Sequence, residues 1–275
     1  TNSTLTLNNL TTNQAGQYCA VVSGVCGNAV TNCANLTVNV PVLVVTPPGN
    51  QTNCPGTTAM FNVSATGTAV NYQWYFGADL LGGRTNSSLV LNNIGFTNAG
   101  IYRVVVNGAA SGPITNSATL TVSTNLIVVT SPGNQTNCVA TTAMFSVNAT
   151  GTRLMYQWYF GVNALGGQTN STLILNDVRT TNGGMYRVVV SGECGSPVTN
   201  VASLVVNEPV VITAAPTSQT SVVGSNATFT VGAIGTGLAY QWYFGNVLVG
   251  TNSTLTLNNL TTNQAGQYCA VVSGV

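Results

Sequence analysis

The sequence predicts an all-β chain of tandem sandwich domains, and three observations carry that reading. The segment Tyr-Gln-Trp-Tyr-Phe-Gly occurs three times, with tryptophans at Trp74, Trp158 and Trp242, 84 residues apart. A Gly-x-Tyr before an apolar run occurs four times, at Tyr18, Tyr102, Tyr186 and Tyr268, with spacings of 84, 84 and 82. Between these markers apolar residues alternate with polar ones over short runs, and no run has a helical period. A repeat this long is an array of whole domains rather than a solenoid of small units.

One period, residues 123–207, shows the elements in order. Strands are expected at Ile127–Val129, Thr142–Val147 and Leu154–Phe160 around Trp158. Leu173 and Leu175 alternate with polar neighbours, Tyr186–Val190 follows, and Val198–Val206 closes the unit. Short strands separated by Gly, Asn and Pro turns every 8–12 residues or so are the pattern of a sandwich. The joins at Val38–Pro41, Val122–Asn125 and Val206–Pro209 leave only short linkers. The expected layout is therefore a C-terminal half-domain at 1–40 (strands E, F and G), whole domains at 41–122 and 123–207, and an incomplete domain at 208–275 (strands A to F) that the next period continues.

Along the whole chain this pattern resembles the immunoglobulin-like domains, of I-set type, repeated in large secreted bacterial proteins. The residues that carry the likeness are Trp74, Trp158 and Trp242, placed as on strand C, and the strand-E pattern Leu89, Leu91, Ile94 and Leu173, Leu175, Val178. The Gly-x-Tyr corner before strand F completes it. The resemblance implies an immunoglobulin-like array, a fold that hosts many functions. One departure is clear: the usual disulfide between strands B and F is missing. Its positions hold Val63 and Val104, Val147 and Val188, and Val231 and Ala270. Each core must then be held by apolar packing around its Trp.

Composition narrows the function. Only 3% of residues are charged, against about 25% in ordinary soluble domains. There is no His, and the five cations are Arg84, Arg103, Arg153, Arg179 and Arg187. So thin a net charge of +1 offers no basic patch for nucleic acid. No apolar stretch approaches the roughly 20 residues of a spanning helix, so membrane insertion is not expected. Without His or Lys, and with acids only at Asp79, Asp177, Glu193 and Glu208, no acid–base pair or activated nucleophile can be assembled. The reading is not an enzyme, with no cofactor and no metal. Asp177 beside Arg179 reads as a surface ion pair.

Residues 1–25 and 251–275 are identical at all 25 positions, whereas the equivalent stretch 169–193 matches at 14 of 25. Drift between domains has gone far, so identity at the two ends needs its own cause. The expectation is one window on a longer array with a period of 250 residues and three domains per period. A recent local duplication is the alternative, and it leaves a half-sandwich with a bare sheet edge.

The seven cysteines read as disulfides of an oxidising compartment, since there is no Cys-x-x-Cys and no His for zinc. Cys19 and Cys33 stand where other repeats carry Arg103 and Ser117, or Arg187 and Val201, facing away from the core and across from each other. They are expected to pair. Cys54 and Cys138 lie at one end of their domains, while Cys26 and Cys194 lie in hairpins at the opposite end. Within one domain these sites are a strand length apart, at about 3.3 Å per residue, far beyond the roughly 7 Å limit between bridged Cα atoms. Between successive domains they can meet. The expected pairs are Cys54 with Cys194, and Cys138 with Cys26 across successive periods, while Cys269 finds its partner beyond Val275. The third junction lacks both members, with Val222 or Val223 on one side and Ala110 on the other. Calcium-stiffened junctions need several carboxylates each, which four acids cannot supply.

Two further sets of residues are candidates. Tyr75, Tyr159 and Tyr243 should face outward opposite their inward Trp neighbours, with Arg103 and Arg187 beside the first two as cation–π partners or as a glycan or lateral-contact face. Asn50, Asn86, Asn134 and Asn170 begin Asn-x-Ser/Thr sequons, candidates for glycosylation. Together these features point to an extracellular or cell-surface structural filament whose partners are copies of itself. An adhesin or stalk that binds glycan or another cell, or a spacer of a large secreted protein, would share many of them.

Overall fold

A computed structural model describes residues 2–275 as an all-β chain with four short 3-10 turns and, among the described residues, no α-helix. The chain divides into two compact units, Thr1–Asn125 and Leu126–Val275. In the first, the hairpin β1 (Gly16–Val22) and β2 (Val30–Leu36) precedes a complete sandwich. Its strands are β3 (Leu43–Thr46), β4 (Gln51–Asn53), β5 (Ala59–Asn62), β6 (Ser64–Thr66), β7 (Asn71–Phe76), β8 (Asp79–Leu80), β9 (Ser88–Leu91), β10 (Gly100–Asn107) and β11 (Ile114–Val122). One layer is the five-stranded sheet β4-β11-β10-β7-β8; the other consists of the ladders β3-β6 and β5-β9.

The second unit repeats this plan with β12 (Ile127–Thr130), β13 (Gln135–Cys138), β14 (Ala143–Ser146), β15 (Asn148–Thr150), β16 (Met155–Phe160), β17 (Asn163–Ala164), β18 (Thr172–Leu175), β19 (Gly184–Ser191) and β20 (Val198–Asn207). A third sandwich follows, built from β21 (Val211–Ala214), β22 (Ala227–Thr230), β23 (Gly232–Ile234), β24 (Ala239–Phe244), β25 (Val247–Gly250), β26 (Thr254–Leu257) and β27 (Tyr268–Ser273). Its main sheet has three strands, β25-β24-β27, with β27 at an edge.

The period of two explains the layers. Along β10, Tyr102, Val104 and Val106 are buried while Arg103, Val105 and Asn107 are half exposed. Trp74, Trp158 and Trp242 are each 0% exposed and donate their indole N–H to the carbonyls of Asn86, Asn170 and Asn252, all at 2.9 Å. A buried indole needs that acceptor, because an unpaired donor in the core costs about 1–3 kcal/mol. Val63 with Val104, and Val147 with Val188, are buried where a core disulfide would otherwise stand.

Packing differs among the described sandwiches. The two complete sandwiches enclose clusters of twelve buried residues each, whereas the cluster in the third holds only Val231, Trp242 and Leu255, so much of its interior is half open. At the N-terminus the expected strand E does not form: residues 4–7 join no ladder and Leu5 is 67% exposed. Among the described residues no strand pairs with this segment. In the complete sandwiches the equivalent strand pairs with β5 or β14 and its leucine (Leu89, Leu173) is buried. The strand expected at Leu154–Phe160 begins one residue later, and the parallel strands β4 and β13 were not foreseen as strands at all.

Candidate functional site

Tyrosine corners set the position of β1 and β27, which carry Cys19 and Cys269, and of the equivalent strands β10 and β19. Before each one a 3-10 turn ends, and the Tyr hydroxyl donates to a carbonyl four residues upstream: Tyr18 to Gln14 at 2.8 Å, and Tyr102 to Asn98, Tyr186 to Asn182 and Tyr268 to Gln264 at 2.9 Å. Burial raises the pKa of Tyr102, Tyr186 and Tyr268, since the phenolate would lose water.

Once the corner is fixed, alternation sends the next residue outward. Cys19 on β1 sits opposite Cys33 on β2, and the two are joined by a disulfide. Arg103 occupies the matching place opposite Ser117, and Arg187 opposite Val201. Cys269 occupies it on β27 and is an exposed free thiol, as are Cys26 and Cys138. Cys54 follows β4, and Cys194 lies buried in the β19–β20 hairpin, where its carbonyl accepts from Leu126 N–H at 2.9 Å. Neither Cys54 nor Cys194 is a free thiol. Among the described residues no group of three or more His, Cys, Asp or Glu could hold a metal ion.

On the outer face of the main sheets, Arg103 lies opposite Tyr75 with its guanidinium carbon 4.5 Å from the ring centroid, and Arg187 covers Tyr159 at 4.2 Å. The Nε of each arginine is buried and has no acceptor. Tyr243 faces Cys269 instead, and its hydroxyl donates to Gln241 Oε1 at 3.2 Å. Asn86 and Asn170 are exposed in loops. Asn50 and Asn134 are exposed too, but their side-chain oxygens accept from Thr119 and Ser203 N–H, each at 2.8 Å, so they tie down the strand beside them. Arg179 meets Asp177 at 3.3 Å on the surface, and Arg153 meets Glu193 at 3.6 Å, a pair the sequence reading did not foresee.

A groove of about 350 Å³ in the third sandwich is lined by Gln219–Val223, Phe229, Leu257, Leu260 and Tyr268. The motif Thr-Asn-x-Ala-x-Leu occurs at Thr31–Leu36, Thr115–Leu120 and Thr199–Leu204, each 13 residues after a corner tyrosine.

No protein-family model matches the chain, and no curated protein matches it in sequence. Among solved structures it is similar to an I-band fragment of titin, with a TM-score of 0.73, 15% identity, and coverage of 85% of this chain and 94% of that one. It is also similar to immunoglobulin domains 1–5 of Sidekick-1, with a TM-score of 0.57, 19% identity, and coverage of 96% of this chain and 65% of that one. At such identities the likeness establishes the fold: the chain consists of tandem immunoglobulin-like β-sandwiches.

Proposed function

We propose that this chain is a structural repeat of an extracellular filament or surface fibre, of the kind built from tandem immunoglobulin-like domains in large secreted bacterial proteins. The observation that carries the reading is the placement of cysteines that no single sandwich can pair. Cys54 and Cys194 lie at opposite ends of consecutive domains in the repeat alignment, and neither is a free thiol. Cys54 bonds Cys194 across one junction; Cys138 bonds the Cys26 of the next period across another. Short linkers and covalent staples stiffen the array without calcium, and disulfides place it in an oxidising compartment. Sparse charge limits repulsion between neighbouring copies and favours lateral association. No catalytic role is proposed.

Peptide mapping without reductant tests the pairing, and recovery of Cys54 joined to any residue but Cys194 would sink it. Negative-stain imaging of the native assembly should show long uniform fibres with a three-domain repeat.

A second reading, an adhesin or stalk module, draws on the Tyr75–Arg103 and Tyr159–Arg187 pairs, which present flat aromatic and cationic surface of the sort that stacks on sugar rings. Glycan-array binding that is lost in Tyr75→Ala together with Tyr159→Ala would favour it, as would separate stalks with distinct heads in the images.

A further inference from the structure

Arg103 and Arg187 occupy the same place in the two complete sandwiches, and the fold gives neither of them a polar partner. Period-two alternation turns them outward on β10 and β19, between Tyr75 and Ser117 in one sheet and between Tyr159 and Val201 in the other. Arg153 and Arg179 meet carboxylates, at Glu193 and Asp177. Arg103 and Arg187 meet none, and among the described residues neither side chain makes a hydrogen bond. Each lies over its tyrosine ring, at 4.5 Å and 4.2 Å from the centroid, with Nε buried and unpaired.

Stability alone does not account for this arrangement. An exposed cation–π contact contributes little, and a buried N–H without an acceptor costs at least as much. A neutral side chain would fill the row without that cost. What the stack does achieve is position. It holds the guanidinium against the sheet and leaves its Nη groups in solvent. A pre-set fork of N–H donors that carries a full charge matches the two oxygens of a carboxylate.

The surroundings select the kind of carboxylate. One strand over, Thr115 and Thr119 flank Arg103 on the diagonals, and Thr199 and Ser203 flank Arg187 in the same way. Their hydroxyls have no hydrogen-bond partner among the described residues. No other cation of the chain lies on a strand. An acidic protein segment would call for several cations in a row. One guanidinium beside a phenol ring and a line of free hydroxyls suits a ligand with a single carboxylate on a hydroxyl-bearing ring.

We propose that Arg103 with Tyr75, and Arg187 with Tyr159, form two equivalent binding sites for an acidic polysaccharide, each holding the carboxylate of one uronic-acid ring. This names the ligand of the glycan-binding reading and rests on it. The guanidinium fork takes the carboxylate oxygens, and the threonine and serine hydroxyls exchange hydrogen bonds with the ring hydroxyls. Two sites on one chain and many carboxylates on one polymer make the binding multivalent. In the third sandwich Cys269 stands in the place of the arginine, opposite Tyr243, so no site of this kind forms there.

The test measures retention of the oxidised 275-residue chain on immobilised polygalacturonate, alginate and hyaluronate at low salt. At least one of the three should hold the chain, and added salt should weaken the contact because exposed charges are screened. Arg103→Gln with Arg187→Gln should lower the affinity at least about tenfold. Arg103→Lys with Arg187→Lys keeps the charge but not the planar fork, and should lose most of the affinity as well. Urea midpoints close to that of the parent would show that these variants fold. Masking the carboxylates of the bound polymer as methyl esters should abolish retention by the unaltered chain.

Failure to bind any of the three polymers overturns the proposal, as does a double glutamine variant that binds like the parent. Equal affinity for polyglutamate also overturns it, and assigns the pairs to an acidic peptide or to charge alone. If a neutral glycan binds instead, and Tyr75→Ala with Tyr159→Ala abolishes that binding, the acidic ligand is wrong and the glycan reading stands. None of these results bears on the Cys54–Cys194 bond or on fibres seen by imaging, so the filament reading is tested separately.

Discussion

Tyr186 donates its hydroxyl proton to the carbonyl of Asn182 at 2.9 Å, and this bond anchors the strand that crosses Trp158 in the core of the middle sandwich. The same corner recurs at Tyr18, Tyr102 and Tyr268. Tyr186→Phe keeps the ring and removes the donor, leaving a turn carbonyl without its partner. The expected loss is about 1 kcal/mol in urea unfolding.

The same phenols give a pH dependence. Burial raises the pKa of Tyr102, Tyr186 and Tyr268 above the free value of about 10, so the folded chain holds these protons after the unfolded chain has lost them. Their stabilising effect is fully present below pH ~10 and is lost as pH rises through the folded values. Thermal unfolding should therefore show Tm falling above pH ~10, and the fall should shrink in Tyr102→Phe with Tyr186→Phe.

The corner glycines are the next test. Gly100 and Gly184 have φ of +152° and +148°, and a Cβ built on them would stand 2.7 Å and 2.9 Å from a ring carbon of Phe76 and Phe160. Gly16, with φ of +150° on the isolated hairpin, would meet nothing within 4 Å. Gly100→Ala and Gly184→Ala should each destabilise by about 1–3 kcal/mol. Gly16→Ala should leave the melting of both complete sandwiches unchanged, which calorimetry of the three variants would compare.

Trp158→Ala removes the largest buried side chain of its core and orphans the Asn170 carbonyl. No disulfide bridges that core, so the cavity has nothing to oppose it. A loss of about 3–5 kcal/mol is expected, enough to unfold the middle sandwich of a marginally stable domain. Tryptophan fluorescence and circular dichroism would report it.

Reduction should act selectively. The β1–β2 hairpin has most of its side chains exposed on both faces and is cross-linked by Cys19–Cys33 over a separation of 14 residues. A loop of that size is worth about 3 kcal/mol of chain entropy, and a lone two-stranded hairpin is marginal in water. In Cys33→Ser, amide protection across residues 16–36 should vanish while that of β10, β11, β19 and β20 persists. Hydrogen exchange resolved by residue would show it.

The cores were readable from residues because their signals are local. Trp74, Trp158 and Trp242 mark one strand each, the Gly-x-Tyr corner marks the next, and period-two alternation decides which side chains turn inward. The outward Arg103–Tyr75 and Arg187–Tyr159 pairs followed from the same alternation. Residues 4–7 carry the pattern of Leu89–Leu91 yet join no ladder among the described residues, because a strand exists only where another supplies hydrogen bonds. β4 and β13 were missed for the converse reason, since Gln51–Asn53 and Gln135–Cys138 have little apolar pattern and are strands through parallel pairing with β11 and β20.

By itself, then, the sequence determined the repeat, the sandwich cores, and which cysteines lie outside them. Those properties depend on residue type and on spacing along one strand. Only the tertiary structure decided which edges are closed and which stand open, because an edge is defined by what lies beside it and not by the residues within it. Residues 266–272 and 16–22 make the point with one sequence: Tyr18–Val22 pairs with β2, while Tyr268–Val272 pairs with β24 among the described residues.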